Sequence, residues 1–407
     1  MKRLSVILIF VCTTTSFAQL RWWGDYDFQI LKGGKDSQQE LNSLPNDYLQ
    51  LRVDQFDLFA EGDINDVISL TADLSNSSQD LPQFKSIGFK LAYVTFSDFI
   101  GDALSVSAGK ILTPFGSFPK RQLATDNPFI GYPLFFTYPQ NVSPQTGYLD
   151  ATGAAAAEAE YGGQLNTIYT GAYYVGAEAF GSFLDDLFEY DVALTNAPLS
   201  ATSGDFNSVG NPSFQGRIAI RPAIWTTIGL SYSSGPFMNE SGLNQYFRQT
   251  YGSLNQYYQT TYGADIRLSY LYYELNAEYI HNVFKSPYIT YNANYVYSSG
   301  LPTGQWLDLA SDEMLFDLRI DAGFYPGLFL ALRYNPVMFG HITDPYLYSS
   351  TRGNSIRWSP NATRYAIGLG YKPIHDLTLK LDYQKTDVDI SPTPDLDVYG
   401  LAIVVSF

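Results

Sequence analysis

The sequence predicts an all-β protein: a transmembrane, antiparallel, up-and-down β-barrel of sixteen strands, or alternatively eighteen, with one long inserted loop. Three observations support this fold. Many short segments alternate apolar residues with polar or small ones at a period of two. Short turns alternate with long polar loops along the chain. Beyond the first residues, no apolar run approaches the ~18 residues that a membrane-spanning helix needs.

The N-terminus has the pattern of a targeting segment. A short basic stretch precedes an apolar run at Leu4–Cys12, and small residues follow it. That order predicts a secretory signal peptide at residues 1–18, with residues 19–407 as the mature barrel. A lipoprotein anchored through Cys12 is the alternative. Cleavage after Ala18 would remove the only cysteine of the chain, and with it any disulfide or thiolate site.

Charge and composition exclude several function classes. The formal charge of −16 becomes −18 when Lys2 and Arg3 leave with the signal peptide, so we expect no nucleic-acid partner. Only His281, His341 and His375 could supply imidazole, and no Ser/His/Asp set has a recognisable spacing. We therefore predict no enzyme, no cofactor and no metal site. Aromatic residues make up 16% of the chain, which suits many strands joined by turns.

The strands follow from this alternation, taken in order with both chain ends on the periplasmic side. They are predicted near residues 20–30, 48–60, 65–74, 84–97, 102–111, 151–161, 186–196, 213–221, 224–234, 262–270, 272–284, 313–324, 327–338, 363–372, 376–386 and 397–407. Residues 162–185 could hold one further hairpin, which would make eighteen strands. A single-chain bacterial barrel requires an even number in either case.

Loop lengths distinguish a barrel from a soluble sandwich, whose strands have the same period of two. Long polar loops are predicted at residues 197–212, 235–256, 286–312 and 340–361, each separated from the next by a short turn. This is the expected pattern of long external loops and short periplasmic turns in an outer-membrane barrel.

The segment at residues 112–150 interrupts this regular order. Its centre, DNPFIGYPLFFTYPQ at residues 126–140, is rich in aromatic residues and contains three prolines. Prolines argue against a central strand, and a connection of about forty residues is typically functional or disordered. In water these aromatics would form an exposed apolar patch. We therefore predict that the segment folds into the lumen as a constriction loop. A lid on the external rim, or a contact between barrels, is the alternative.

The last strand, LDVYGLAIVVSF, places apolar residues on one face and ends on Phe407. It resembles the last strand of Gram-negative outer-membrane proteins, which typically ends in Phe. In those proteins the ending is read by the barrel-assembly machinery. The resemblance thus implies an assembly signal at Phe407.

Two motifs resemble the phosphate-selective porin O and P family and related Bacteroidetes-type porins. VSAGKILTPFG, followed by a basic pair, is similar to that family's G-x-x-x-x-PFG strand end, and FEYDVALTNAP is similar to its Y-x-x-x-x-x-NG strand end. The resemblance implies a sixteen-stranded, often trimeric barrel whose third loop narrows the channel. This chain departs from the family in its acidity and in having no matching ladder of Lys or Arg.

Charged residues of the predicted strands fall opposite the apolar face. A charge on the lipid face costs ~2–4 kcal/mol for Arg or Lys at mid-depth, so we expect these side chains in the lumen. Lys120 and Arg121 are candidates for a basic ring near the narrowing, or alternatively a solvated pair on an external loop. The predicted constriction and pore-lining residues are Lys120, Arg121, Phe129, Tyr132, Phe135, Phe136, Arg217, Arg221, Arg267, Arg319, Arg333, Arg364, Lys380, Asp317 and Asp321.

The expected function is that of an outer-membrane porin for passive diffusion of small hydrophilic solutes or ions. Expected partners are outer-membrane lipid and lipopolysaccharide, the barrel-assembly machinery, the solutes themselves and two further copies in a homotrimer. The expected location is the outer membrane of a Gram-negative, Bacteroidetes-type bacterium. A scaffold for a surface lipoprotein or a cytochrome is the alternative, and a barrel enzyme of the lipase or protease type is a third hypothesis.

Overall fold

Sixteen antiparallel strands close into a barrel. The computed structural model describes residues 20–36, 49–77, 88–149, 163–169, 172–201, 211–238, 253–287, 289–291, 297–299, 306–344 and 353–407. The strands are β1 (Leu20–Gly33), β2 (Leu49–Asp63), β3 (Ile68–Ser77), β4 (Gly88–Phe96), β5 (Ser105–Leu112), β6 (Tyr173–Phe183), β7 (Phe188–Thr195), β8 (Ser213–Ala223), β9 (Thr226–Pro236), β10 (Tyr258–Tyr270), β11 (Tyr273–Ser286), β12 (Leu307–Asp321), β13 (Leu328–Phe339), β14 (Ala362–Ile374), β15 (Leu377–Val388) and β16 (Val398–Ser406). Neighbours in this order pair with each other, and β1 pairs with β16. The ring confirms the predicted sixteen strands, and the eighteen-stranded alternative is wrong.

The sixth strand lies elsewhere than predicted. β6 occupies Tyr173–Phe183 and pairs directly with β5, whereas the prediction was 151–161, a range that lies outside the described residues. The observed strand falls in 162–185, the stretch predicted as a possible extra hairpin. The bulky Tyr174 and Phe180 face inward, and the small Ala177 and Ala179 lie between Val175 and Phe183 on the outer face, so the apolar alternation of this strand is weaker than that of the other strands.

The two faces of the wall differ as the alternation predicts. Ile218, Leu332 and Leu381 are exposed on the outer face, whereas the neighbouring Arg333 and Lys380 are buried inside the barrel. Inward charges also meet across strands: Asp317 on β12 is the direct partner of Arg333 on β13. The apolar side chains thus form the outer surface of the closed sheet, and the polar ones form its lining.

Short and long connections lie at opposite ends of the barrel. Seven short connections join the strands at one end, at residues 64–67, 97–104, 184–187, 224–225, 271–272, 322–327 and 375–376. We call this end the short-turn rim. The longer connections lie at the other end and include the four loops predicted from sequence. Phe407 lies toward the short-turn rim, where its N–H donates to the Gly24 carbonyl at 3.0 Å and its ring stacks 6.5 Å from Phe56.

The connection between β5 and β6 spans residues 113–172, of which 113–149, 163–169 and 172 are described; we call it the inserted segment. It contains a 3₁₀ turn at Phe118–Arg121, one helical turn at Leu134–Thr137, and a small hairpin that joins 142–143 to 147–148. No helix in the described part of the chain has the length and apolar character needed to span a membrane.

Candidate functional site

The inserted segment begins with a turn that is held by the inner wall. Gly116 has a φ of 66°, a conformation that favours glycine, and its N–H donates to the Ser231 hydroxyl of β9 at 2.9 Å. Glu278 of β11 accepts three hydrogen bonds through one carboxylate oxygen: from the Ser117 N–H at 3.3 Å, the Ser117 hydroxyl at 3.2 Å and the Phe118 N–H at 3.2 Å. An inward carboxylate thus caps the 3₁₀ turn.

An aromatic cluster follows this turn. The Phe118 ring lies 6.1 Å from Phe135 and 5.3 Å from Phe136, and these last two rings are 4.9 Å apart. Inward-facing Ile280 and Leu315 of the wall complete the cluster. The predicted Tyr132, Phe135 and Phe136 are therefore buried among one another and against the wall.

A buried ion pair supports the other side of the cluster. The Arg333 guanidinium donates to both Asp317 carboxylate oxygens, through Nε at 2.7 Å and Nη2 at 2.8 Å. The same guanidinium lies 4.4 Å from the Phe129 ring and 5.7 Å from the Phe118 ring. Bidentate pairing fixes the guanidinium plane, and its faces then attract aromatic rings. Arg364 of β14 adds a hydrogen bond from Nη1 to the Tyr132 carbonyl at 2.7 Å.

The lining of β15 holds the backbone of the inserted segment. The Lys380 ammonium donates to the carbonyl oxygens of Ala124 at 2.5 Å and Asn127 at 2.6 Å. Asp382, two residues along the same face, accepts from the Ile130 N–H at 2.9 Å. The Lys380 ammonium thus binds carbonyl oxygens, and the Asp382 carboxylate binds an amide N–H. The two inward charges of β15 therefore match the backbone groups that they contact.

Further contacts extend toward the long-loop end. The Leu134 N–H donates to the Asn335 side chain of β13 at 2.5 Å. The Thr167 hydroxyl donates to Glu313 of β12, and Gln259 of β10 donates to the Thr167 carbonyl at 2.8 Å. Together with the contacts above, the described part of the inserted segment contacts the lining from β9 to β15.

A cavity of about 520 Å³ lies on the opposite side, along β5 to β8. Its walls carry five carboxylates and three basic groups. The charged lining residues are Asp98, Asp102, Asp186, Glu189, Asp191, Lys120, Arg217 and Arg221. Two of the basic groups are ion-paired: Arg217 with Asp265 at 2.6 Å, and Arg221 with Glu189.

Lys120 and Arg121 have different surroundings although they are adjacent in sequence. Lys120 is exposed and lines the cavity. Arg121 is buried, with its guanidinium 5.3 Å from the Phe118 ring. Burial lowers the pKa of the Arg121 guanidinium from its usual value, and Asp317 and Glu278 oppose that shift.

The remaining predicted residues form ion pairs near the short-turn rim. Arg267 lies 3.2 Å from Glu274, and Arg319 lies 2.8 Å from Asp321, in both cases with substantial exposure. Neither ion pair takes part in the hydrogen bonds that hold the inserted segment, as described above.

Sequence reasoning missed the residues that hold the inserted segment. The alternation predicts only that Glu278 and Asp382 face the lumen, and it does not distinguish Ser231, Asn335 or Glu313 from other inward residues. Their inward positions could be read from the alternation, but their partners lie far away in sequence. Glu278 and Ser117, for example, are 161 residues apart.

No protein-family profile matches the sequence, and no curated protein matches it. Solved structures do match over nearly the whole chain. The anion-selective porin from Comamonas acidovorans has 10% identity and a TM-score of 0.60, covering 96% of this chain and 100% of the porin. The outer membrane channel DcaP of Acinetobacter baumannii has 11% identity and a TM-score of 0.58, with 97% and 98% covered. OmpF of Salmonella typhi, in complex with daunomycin, has 11% identity and a TM-score of 0.56, with 95% and 97% covered. At such identities the likeness shows the fold, and the chain therefore has the barrel fold of outer-membrane porins.

Proposed function

We propose that this protein is an outer-membrane porin through which small hydrophilic solutes or ions diffuse passively, with the inserted segment narrowing its lumen. One observation carries the proposal. The inserted segment packs against the lining of β9 to β15, while a charged cavity remains beside β5 to β8. A barrel narrowed from one side in this way has a polar passage along the other.

The proposed mechanism is selection by size and charge, without a chemical step. The aromatic cluster and the buried ion pair keep the inserted segment against the wall, so the width of the passage does not depend on a mobile loop. The charged side chains of the cavity then interact with solutes that enter it, since charges that line a pore bias permeation. The concentration gradient of the solute supplies the driving force.

Location, assembly and partners belong to the same proposal. It sets the barrel in the outer membrane of a Gram-negative bacterium, in contact with lipid and lipopolysaccharide, after assembly by the machinery that reads Phe407. The motif resemblance to the phosphate-selective and Bacteroidetes-type porins supports a homotrimer. The proposal assigns no enzymatic role to the protein.

Conductance in a planar bilayer tests the proposal. The intact protein is compared with a variant lacking residues 126–140 and with one in which the same fifteen residues are replaced by Gly and Ser. We expect an open channel for the intact protein and a larger single-channel conductance for both variants. An intact protein that stays closed at all voltages contradicts the porin function. Unchanged conductance in both variants contradicts the constriction.

A scaffold that sheathes a surface lipoprotein or cytochrome is the alternative function. It requires a wide lumen, which fits poorly with an inserted segment that contacts seven consecutive strands of the lining. Stable co-purification of a single partner with a non-conducting barrel would favour the scaffold.

A further inference from the structure

Each connection of the short-turn rim carries a large exposed apolar side chain, within the turn in six cases and directly before it in the seventh. These residues are Ile64, Ile100, Leu184, Ile224, Leu271, Phe324 and Ile374. Three of them are almost fully exposed: Ile224 at 98%, Phe324 at 86% and Leu271 at 80%. Short turns usually favour Gly, Asn, Asp, Pro and Ser, each for a conformational reason. An exposed apolar residue in or directly before each of the seven turns therefore indicates a function that turn formation does not require.

Two of these residues occupy strained backbone positions. Leu184 has a φ of 56° and Leu271 a φ of 53°. Left-handed conformations are unfavourable for residues with a branched or bulky side chain and favour Gly or Asn. Both leucines are also mostly exposed, so packing within the described part of the chain does not offset this cost. A favourable apolar environment outside the chain would offset it.

The apolar tips continue the outer face of the barrel. Phe183 and Phe188, on either side of the 184–187 turn, are exposed, and so are Tyr270 and Tyr273, on either side of the 271–272 turn. No polar collar separates the tips from the outward apolar side chains at these two hairpins. The seven turns also follow one another around a closed ring. A partner that contacts all seven turns from outside must surround the barrel, as a lipid bilayer does.

The charges of the rim indicate which lipid suits it. The seven turns contain six aspartates and no Lys or Arg. Asp98, Asp102 and Asp186 also line the cavity, whereas Asp66, Asp185 and Asp376 are not part of its lining. Carboxylates at this depth would repel anionic headgroups and attract ammonium groups. Zwitterionic phospholipids with an ammonium headgroup therefore fit the rim.

We propose that the short-turn rim is seated in the near leaflet of the membrane, with its seven apolar tips inserted among the acyl chains of zwitterionic phospholipids. The lipid boundary of the barrel then lies at the turns themselves. Apolar side chains at an interface bind by burying their area a few ångströms into the headgroup and acyl boundary. The inference rests on the proposed function only in that the barrel spans a bilayer.

Single-cysteine labelling tests the depth of the tips. In the full chain with Cys12→Ser, the variants Ile224→Cys, Leu271→Cys and Phe324→Cys are labelled with an environment-sensitive fluorophore. Each is reconstituted in vesicles of phosphatidylethanolamine and phosphatidylcholine, part of which carries an acyl-chain nitroxide. Leu381→Cys, on the outer face of β15, is the control for lipid contact. Lys120→Cys, in the cavity, is the control for water.

We expect the nitroxide to quench the three tip labels nearly as well as the Leu381 label, and on the order of threefold more than the Lys120 label. Aqueous iodide should give the opposite order. Tip labels that follow the Lys120 pattern would place the rim in water and overturn the proposal. Tip labels shielded from both quenchers would mean that protein, including a second copy of this chain, covers the rim, which also overturns it.

Three controls distinguish failure of the rim proposal from failure of the proposed function. Heat-dependent migration of each variant in a gel reports whether the barrel has folded. Quenching at Leu381 by the nitroxide reports whether the barrel spans the bilayer, and conductance reports whether it is a pore. If the barrel spans the bilayer and conducts, but iodide rather than the nitroxide quenches the tip labels, only the rim proposal is contradicted.

Discussion

Glu278 is a single side chain that fixes the start of the inserted segment. One of its carboxylate oxygens accepts from the backbone and the hydroxyl of Ser117 and from the backbone of Phe118. Hydrogen bonds to a charged group contribute about 1.5–3 kcal/mol. Because the carboxylate projects from the wall and contacts the inserted segment directly, removing its charge should loosen the 3₁₀ turn without altering the strands.

Glu278→Gln is therefore expected to raise amide hydrogen exchange at Ser117 and Phe118 by on the order of tenfold, which corresponds to a loss of about 1.4 kcal/mol. Glu274→Gln is the matched control, because Glu274 lies on the same strand and face but pairs with Arg267 near the rim. Hydrogen exchange followed by mass spectrometry measures both. Equal protection of Ser117 in the two variants would contradict the capping role.

Arg333 has a buried ion pair, whereas Arg267 has an exposed one. Arg333→Met leaves the Asp317 carboxylate buried without its partner and should cost about 3–5 kcal/mol of unfolding free energy. Arg267→Met breaks a solvated pair and should cost less than about 1 kcal/mol. Urea unfolding of the vesicle-inserted barrel, followed by tryptophan fluorescence, compares the two. Similar losses would mean that burial does not determine the strength of these pairs.

β15 shows how one strand can serve as both wall and binding surface. Its outward leucines form part of the apolar face, and its inward Lys380 and Asp382 bind the backbone of the inserted segment. The alternation of the sequence predicts both faces of this strand. β6 shows the opposite case, because small alanines interrupt its outer face between Val175 and Phe183 and bulky residues face inward, which weakens the period of two. Strand prediction therefore succeeded where the outer face was apolar and failed where it was built from small residues.

Lys380→Met tests the binding surface of β15. The substitution keeps most of the side-chain volume but removes two hydrogen bonds to carbonyl oxygens, so residues 124–130 should exchange amide hydrogens faster and the channel should fluctuate more in conductance. Lys385→Met is the control, since Lys385 lies on the same strand in an exposed pair with Asp387. Steady conductance in both variants would show that this contact does not hold the inserted segment.

At the scale of the whole molecule, the inserted segment and the charged cavity lie along different parts of the lining. The inserted segment contacts the lining from β9 to β15, and the cavity lies along β5 to β8. Arg217 and Arg221 in the cavity are ion-paired, so Lys120 faces the carboxylates of the cavity that remain outside those two pairs. These are Asp98, Asp102, Asp186 and Asp191.

This excess of carboxylates predicts a channel that prefers cations. The reversal potential in a potassium chloride gradient should have the sign of cation flow. Lys120→Gln should increase the cation-to-anion permeability ratio and Asp102→Asn should decrease it, each on the order of twofold at low salt. The difference should shrink in 1 M salt, where the Debye length falls to about 3 Å. A reversal potential of anion sign for the intact protein contradicts the prediction.

The sequence by itself determined the antiparallel barrel, the two faces of its wall, its two ends and the place where its long insertion begins, and it left open whether the strands number sixteen or eighteen. These features depend on residues that are neighbours in the chain, through a period of two and through turn lengths. Only the tertiary structure decided that Tyr173–Phe183 is the sixth strand, that Arg121 is buried while Lys120 lines the cavity, and that Glu278 caps the inserted segment. Those outcomes depend on contacts between residues that are far apart in the chain, from 61 positions for Leu112 and Tyr173 to 161 for Ser117 and Glu278, and local periodicity carries no information about such contacts.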